Sequence, residues 1–578
     1  MTRPKWATYA GGKSDLANRK FSNTDAWRQL KEPMDVLPPT IYFGPTLSSP
    51  FFALPFQTDS KILLLSEDSS TMEEAPSSLA RPEFDQTTAG FVEWFTTADG
   101  TRLSSKIELK DLRDETAGRG LVAIDTIAED EELFAVPRPL VLMTTTSSIS
   151  PTVLAPLADT GTWPPLIVTI IFEYLRRQES PWHPYFQVLP TTFDSLMFWN
   201  DEELAVLQAS AVVDKIGKAE AEATWKETII PVMLAHPDLF PVFAATDTER
   251  TAELIKLAHM AGSLIMAYAF DIDRDDEPSG PRNGDSDDEF EEDDEDEPLK
   301  GMVPFADMLN ADADKNKCKS FQMSAAMLRL IDYDQQARLF QEDDYLIMKS
   351  TKTIAAGDQI FNDYGPLPRS DLLRMYGYVT DNYAKYDVVE LSHDTLLEVA
   401  GKKHDKTNKA WLKREEQLDE LGIIDDGYSI PRPEPDVQNL GDAIPGHLHM
   451  LLRALCAHDE DNKAVKKPRE PVTLEEAALL QAVLTKRLSE YKTTYEHDRS
   501  QLEKVQSEST GPLAPVHCNA RRYAMAVQVR MGEKEILRQL ISLCQGHIKL
   551  MSEALAATKR KRSEVASRNS SAKKFKAA

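Results

Sequence analysis

Apolar residues along this chain change their spacing several times, and each change predicts a different kind of element. Between residues 91 and 137 short apolar runs alternate with turns: Phe91-Val92-Glu93-Trp94-Phe95, Leu121-Val122-Ala123-Ile124 and Leu133-Phe134-Ala135-Val136. Runs this short, bounded by polar turns such as Glu129-Asp130-Glu131-Glu132, read as small β-strands. From residue 163 to 270 the period becomes helical. Ile167, Ile170, Ile171 and Leu175 share one face, and Leu254, Leu257, Ala258 and Ala261 repeat the spacing. Short strands return over residues 301–365, with Leu346-Ile347-Met348 as one candidate. Beyond Tyr383 the pattern is mainly helical to about Leu555. There Thr473 followed by Glu476 predicts a capping box ahead of an apolar helix over residues 477–484, and the Pro-rich stretch 431–435 reads as a loop.

Three segments lack a period. Residues 1–82 are rich in Pro, Ser, Thr and Asp with brief apolar bits such as Ile62-Leu63-Leu64-Leu65, which predicts a disordered or variable extension. Residues 285–297 are all Asp or Glu except Ser286 and Phe290, a run that repels itself and predicts a disordered acidic loop. The end of the chain, with Lys559-Arg560-Lys561-Arg562 and Lys573-Lys574-Phe575-Lys576, reads as a basic tail: an address for the nucleus, with cytoplasm also open, or a nonspecific anionic contact.

Composition narrows the class of function. The 578 residues suit two structured domains plus tails. A formal net charge of −28 argues against direct nucleic-acid binding and suits basic protein partners, although it also does no more than keep a chain in solution. The four cysteines, Cys318, Cys456, Cys518 and Cys544, form no C-x-x-C pair, so neither a zinc site nor a disulfide framework is expected. No secretory signal and no membrane span is predicted, since apolar stretches such as residues 166–172 are too short to cross a bilayer. Oligomeric state is not legible.

The candidate chemistry lies in three segments. Gly118-Arg119-Gly120 is a turn that can approach a ligand closely, but it lacks the strand before and helix after that a dinucleotide site needs. The second is Val303-Pro304-Phe305-Ala306-Asp307-Met308-Leu309-Asn310. The third is Ile360-Phe361-Asn362-Asp363-Tyr364-Gly365, continued by Leu372-Leu373-Arg374-Met375-Tyr376-Gly377-Tyr378. Singly, each is as well explained by turns, caps and core aromatics.

Taken together and in this order they resemble the SET-domain lysine methyltransferases. The branch is that of the Rubisco large-subunit methyltransferase and of the fungal ribosomal lysine N-methyltransferase 4 group with its animal relatives. The resemblance starts near Phe84, includes Phe186-Gln187-Val188-Leu189-Pro190 and Met197-Phe198-Trp199, and runs through Tyr378. The stretch from Arg522 to Lys534 is similar to the signature of that branch's C-terminal substrate-binding domain. The implied fold is α+β: a β-rich SET domain over residues 83–382, with a helical insert at 163–270 and the acidic loop at 271–300. An α-helical substrate-binding domain at 383–556 and a basic disordered tail at 557–578 would follow.

The resemblance also implies roles. Gly118, Arg119 and Gly120 would line the methionine end of S-adenosyl-L-methionine, and Asn310 with Ala311 its adenine end. Tyr376 would pack against the same donor. Tyr364 would be the tyrosine of the catalytic centre. Trp199 and Tyr268 would line the channel of the substrate lysine. Ala311 stands where the family has histidine; main-chain contacts survive that change, because every non-proline residue carries the same backbone donor and acceptor. The implied reaction is in-line methyl transfer to a neutral lysine amine of a protein, with a large-subunit ribosomal protein as the leading substrate and no metal. A free lysine has a pKa of about 10.4, so an apolar aromatic channel that disfavours the ammonium serves the reaction. Two rivals stand beside this: a catalytically silent SET-like binding module for basic proteins, to which Ala311 lends support, and an acidic chaperone resting only on residues 285–297.

Overall fold

The computed structural model describes residues 81–113, 117–273, 298–313, 337–342, 344–362, 364–402, 408–457, 471–507 and 519–576. The acidic run at 285–297 and all of the N-terminal extension before residue 81 lie outside these. The chain divides into two compact units: Met1–Phe193 with Asp214–Gly365, and Asp194–Val213 with Pro366–Ala578.

The first unit is built around small antiparallel sheets. Helix α1 (Arg81–Thr97) leads into β1 (Arg102–Leu103), the hairpin β2 (Ile107–Asp111) and β3 (Arg119–Ala123), and then β4 (Glu132–Pro137). Strand β5 (Ala269–Ile272) pairs with β6 (Leu299–Met302). The pair β7 (Asn310–Ala311) and β10 (Phe361–Asn362) is parallel. With β8 (Ala337–Gln341) and β9 (Tyr345–Ser350), one sheet has the order β1-β4-β9-β8, antiparallel throughout. Helices Trp163–Leu175 and Asp247–Tyr268 pack on each other, as the 3.6-residue period of Ile167, Ile170 and Ile171 predicts. The longer helix is opened by a capping box between Thr246 and Glu249.

The structure corrects the reading of Phe91-Val92-Glu93-Trp94-Phe95 as a strand: these residues lie in helix α1. Phe84, Phe91 and Phe95 are its buried positions, a spacing of seven and then four that marks one helical face. Phe305 packs against two of them. Its ring centroid is 4.4 Å from that of Phe95, 5.0 Å from Phe91 and 5.7 Å from Phe134 of β4. The expected acidic loop at 271–300 also shortens at both ends, since its outermost residues belong to β5 and β6.

The second unit is mainly helical, with one antiparallel strand pair among the described residues that the sequence pattern does not announce: β11 (Val388–Ser392) with β12 (Gly427–Pro431). Pro431 ends β12 instead of opening a loop. The predicted capping box at Thr473 and Glu476 is present and starts the helix Leu474–Ser489. Residues 194–213, inside the expected helical insert, pack with this unit, and its second stretch begins at Pro366. The final helix runs over Ala520–Lys576, so the basic clusters of the expected disordered tail sit on a continuous helix. No helix among the described residues is long and apolar enough to cross a membrane.

That final helix carries much of the unit's cohesion through charge. Asp498 has a fully buried side chain, and it accepts from Arg530 Nη2 at 2.8 Å, from Thr493 Oγ1 at 2.7 Å and from Lys534 Nζ. Glu533 accepts from Ser210 Oγ at 2.6 Å and Tyr491 OH at 2.7 Å. Gly532 leaves space for the Arg369–Asp387 pair: a Cβ there would lie 2.2 Å from Asp387 Oδ2 and 2.6 Å from Arg369 Nη2. The stretch that resembles the family signature therefore contributes buried polar contacts through Arg530, Glu533 and Lys534, beside the buried apolar Met525, Ala526, Val527 and Val529.

Because Phe95 is fully buried against Phe305, Phe95→Ala should lower the stability of the first unit by roughly 3–5 kcal/mol. The exposed neighbour Glu93→Ala should change it by less than about 0.5 kcal/mol. Urea unfolding followed by tryptophan fluorescence checks both.

Candidate functional site

In the first unit the glycine turn, the segment 303–310 and the part of the third segment up to Gly365 converge. Strand β3 carries Arg119 and Gly120, β7 carries Asn310 and Ala311, and β10 leads to Tyr364. Main-chain bonds join them: Ile360 N donates to Leu121 O at 2.8 Å and Ala123 N to Asp358 O at 2.9 Å. Asn310 Nδ2 donates to Arg119 O at 3.0 Å. Tyr364 OH donates to Leu309 O at 3.3 Å.

The two glycines of the turn differ in what they permit. A Cβ on Gly120 would come within 2.5 Å of Leu112 Cδ1, 2.7 Å of Gln359 Nε2 and 2.8 Å of Asn310 Nδ2, so any other residue there would have to displace these three side-chain ends, Asn310 among them. A Cβ on Gly118 would meet nothing within 4 Å, so its backbone borders open space. An open glycine turn beside a strand end is a fitting cradle for a small ligand bound through main-chain groups.

Arg119 does not face that space. Its Nε donates to Thr88 Oγ1 at 2.9 Å, Nη2 to Thr87 Oγ1 at 2.8 Å and Nη1 to Val188 O at 3.1 Å. Its guanidinium lies 3.9 Å from the centroid of Phe84, and that of Arg113 lies 4.0 Å from the same ring. Burial and the neighbouring Arg113 charge push Arg119 down to about 10, still charged at neutral pH. The side chain fastens α1 to β3, leaving only the backbone of Arg119 for a ligand. Ala311 pairs with Asn362 in the β7–β10 ladder.

Tyr268 ends the helix Asp247–Tyr268, and burial, with the charge of Asp307 second, pushes its phenol up to about 12. Asp307, to which the motifs assign no role, is buried; Tyr185 OH donates to its Oδ2, while Oδ1 has no partner among the described residues. Burial raises Asp307 to about 7 against the opposing pull of that hydroxyl. Gln359 is likewise absent from the motifs, and its buried Nε2, near Gly120, has no partner among the described residues. The one sequence signal for Asp307 is a lone carboxylate inside the apolar run 303–309.

Trp199 and Tyr376 belong to the second unit. Trp199 is buried and its indole donates to Asp194 O at 2.7 Å. Arg522 steadies that stretch through Asp194 Oδ1 at 3.1 Å and Glu203 Oε2 at 2.7 Å. Tyr376 closes the helix Arg369–Tyr376, and its ring lies 6.4 Å from that of Tyr378. Gly377, at φ 75°, caps the helix against the backbone of Asp194 and Ser195, which a Cβ would approach to 2.7 and 2.6 Å. Among the described residues no group of three or more His, Cys, Asp or Glu is arranged to hold a metal ion.

Comparison with known proteins gives this arrangement a context. The family model for the SET domain matches residues 118–365, and that for the Rubisco LSMT substrate-binding domain matches residues 402–537. The chain is 33% identical to ribosomal lysine N-methyltransferase 4 of Saccharomyces cerevisiae, over 65% of this chain and 73% of the relative. It is 29% identical to N-lysine methyltransferase SETD6 of Mus musculus, over 81% and 93% of the two chains. Its fold is similar to that of Rubisco LSMT bound to AdoMet, with a TM-score of 0.55 and 20% identity over 81% of this chain and 93% of that one.

The raised Asp307 has a consequence for stability. A buried acid whose folded pKa lies above its unfolded value binds more protons when folded, so its contribution falls as pH rises from about 4 through 7. Glu533, raised to about 7 by burial, acts with the same sign in the second unit. Asp307→Asn keeps an acceptor for Tyr185 and removes the titration. It should flatten the fall in melting temperature between pH 5 and 7.5. A slope equal to that of the parent protein would mean that Asp307 does not titrate there.

Proposed function

We propose that this chain, which belongs to the SET-domain protein-lysine methyltransferases, methylates a lysine of a large-subunit ribosomal protein with S-adenosyl-L-methionine as donor. The observation that carries the reading is the meeting of β3, β7 and β10. It brings the glycine turn, Asn310 and Tyr364 to one place through the Asn310–Arg119 and Tyr364–Leu309 hydrogen bonds. The choice of a ribosomal substrate rests on the name of the Saccharomyces cerevisiae relative and on a net charge of −28, which suits basic partners.

S-adenosylmethionine supplies an electrophilic methyl group on a sulfonium. The chain's own part is to receive, orient and desolvate. The backbone at Gly118 to Gly120 and at Asn310 and Ala311 is assigned to the donor, and so, from the family resemblance, is the ring of Tyr376. The phenol of Tyr364 is assigned to aligning the incoming amine, Trp199 and Tyr268 to the walls of its channel. Aromatic walls disfavour the ammonium and so raise the fraction of neutral, nucleophilic lysine. The proton leaves the amine through water, and alignment of amine and methyl supplies most of the acceleration.

We assign the protein to the nucleus as well, on the exposed basic cluster Lys559, Arg560, Lys561 and Arg562 of the final helix. Truncation after Thr558 removes no buried side chain among the described residues and should shift a fluorescent fusion out of the nucleus; an unchanged distribution dismisses the address.

The central test is calorimetric titration with S-adenosylmethionine together with methyl transfer to large-subunit ribosomal proteins. Asn310→Ala frees the Arg119 carbonyl and should weaken donor binding about tenfold. Tyr364→Phe should leave donor binding intact and lower turnover by about 10²-fold. No saturable donor binding by the parent chain would favour the silent binding module instead.

A further inference from the structure

A groove of about 560 Å³ lies between α1 and β2 in the first unit. None of the residues assigned to donor, channel or chemistry lines it. Its apolar lining comprises Ala89, Val92, Leu103, Ile107, Leu109 and Phe305, and Asp85 and Glu93 stand beside it on α1. Both carboxylates are exposed, and neither forms an ion pair with a lysine or arginine among the described residues. The other two acids along it differ: Glu108 pairs with Lys110 at 3.3 Å and Asp111 with Arg113 at 2.7 Å. Strand β2 pairs with β3, and no second strand pairs with it among the described residues.

The dimensions specify an occupant. Asp85 and Glu93 are separated by about 12 Å along the helix, at 1.5 Å per residue. In an extended peptide, residues four apart are separated by about 13 Å and point to the same side, as does the residue midway between them. We propose that this groove docks an extended basic segment of the protein substrate. Two lysines or arginines four residues apart meet Asp85 and Glu93, and the apolar residue between them enters the Val92–Ile107–Leu109 floor. The proposal rests on the reading of the chain as a protein-lysine methyltransferase, and gives it a recognition site apart from the residues assigned to chemistry. An acidic rim over an apolar floor selects by charge and by spacing, and so distinguishes one basic segment from another where net charge alone does not.

The test uses the full chain and a fluorescein-labelled, serine-rich peptide with lysine–serine–leucine–serine–lysine at its centre, followed by anisotropy. The double variant Asp85→Lys with Glu93→Lys should weaken binding by at least about tenfold. Asp419→Lys with Glu420→Lys, which makes the same change of charge in the second unit, should leave it within about twofold. Replacing the central leucine of the peptide by serine should also weaken binding. Equal losses from both double variants would reduce the effect to bulk attraction and overturn the proposal. So would no loss from the first, or no binding to the parent chain. Methyl transfer to large-subunit ribosomal proteins is measured in parallel. If transfer persists while the peptide ignores the groove, the docking site alone falls. If transfer is absent while groove-dependent binding holds, the choice of a ribosomal substrate falls and the groove stands.

Discussion

The first unit depends on a strained turn at Phe305. This residue has φ 72°, a conformation that bulky side chains rarely adopt. Such a backbone persists only where its surroundings over-determine it. Here the ring is held by Phe91 and Phe95 of α1 and by Phe134 of β4, which offer offset and tilted aromatic contacts. The turn redirects the chain so that Asp307, Leu309 and Asn310 follow in order beside β3 and β10. The aromatic cluster thus holds the turn that leads into β7. Arg119 secures the same helix near its first turns, through Thr87, Thr88 and the ring of Phe84.

The second unit reaches a similar rigidity by another route. Its interior contains Asp498, Arg530, Lys534 and Glu533, groups that are costly to bury alone. The cost is tolerable because the two carboxylates have hydrogen-bonded partners: Asp498 receives two cations and a hydroxyl, and Glu533 receives two hydroxyls. Removing one partner would leave a buried charge without compensation. Such contacts hold the final helix in one register where apolar packing alone tolerates sliding. Gly532 belongs to the same scheme, since the Arg369–Asp387 pair fills the volume of the missing side chain.

What can be read from the sequence is what is encoded locally. The strands around Leu121, Leu133 and Leu346 follow from short apolar runs between turns, and the capping box at Thr473 is a four-residue signal. Helix α1 reads wrongly as a strand because the window of Phe91 to Phe95 fits either element. Only Phe84, seven positions earlier, fixes the helical face. The β11–β12 pair escapes the pattern because its two strands stand far apart in sequence, with the helices His393–Val399 and Lys409–Glu420 between them. The transfer of residues 194–213 to the second unit is invisible for a related reason. It depends on Arg522 and Glu533, more than three hundred residues away, meeting Asp194, Glu203 and Ser210. The candidate site is legible only through the order of its three segments, which resembles that of a known family; singly each segment is as well explained by turns, caps and core aromatics. Asp307 and Gln359 escape since neither type is rare, and their significance lies in burial without a full set of partners.

The alanine at 311 bears on how this site tolerates change. The amide of Asn310 is spent inside the protein, on the carbonyl of Arg119, so its side chain organises the glycine turn before any ligand is present. Ala311 contributes its main chain to the β7–β10 pair opposite Asn362. Neither of these duties needs an imidazole at 311. A histidine there could add only what a ring projecting from the strand can reach. Removing it leaves the frame intact, as the convergence of β3, β7 and β10 demonstrates. If the adenine end of a donor is held by backbone groups, the frame is the larger part of the recognition, because preorganised main-chain donors and acceptors bind without the entropy of ordering a side chain. Residue 311 is therefore a position whose main chain already has a structural duty that any non-proline residue performs.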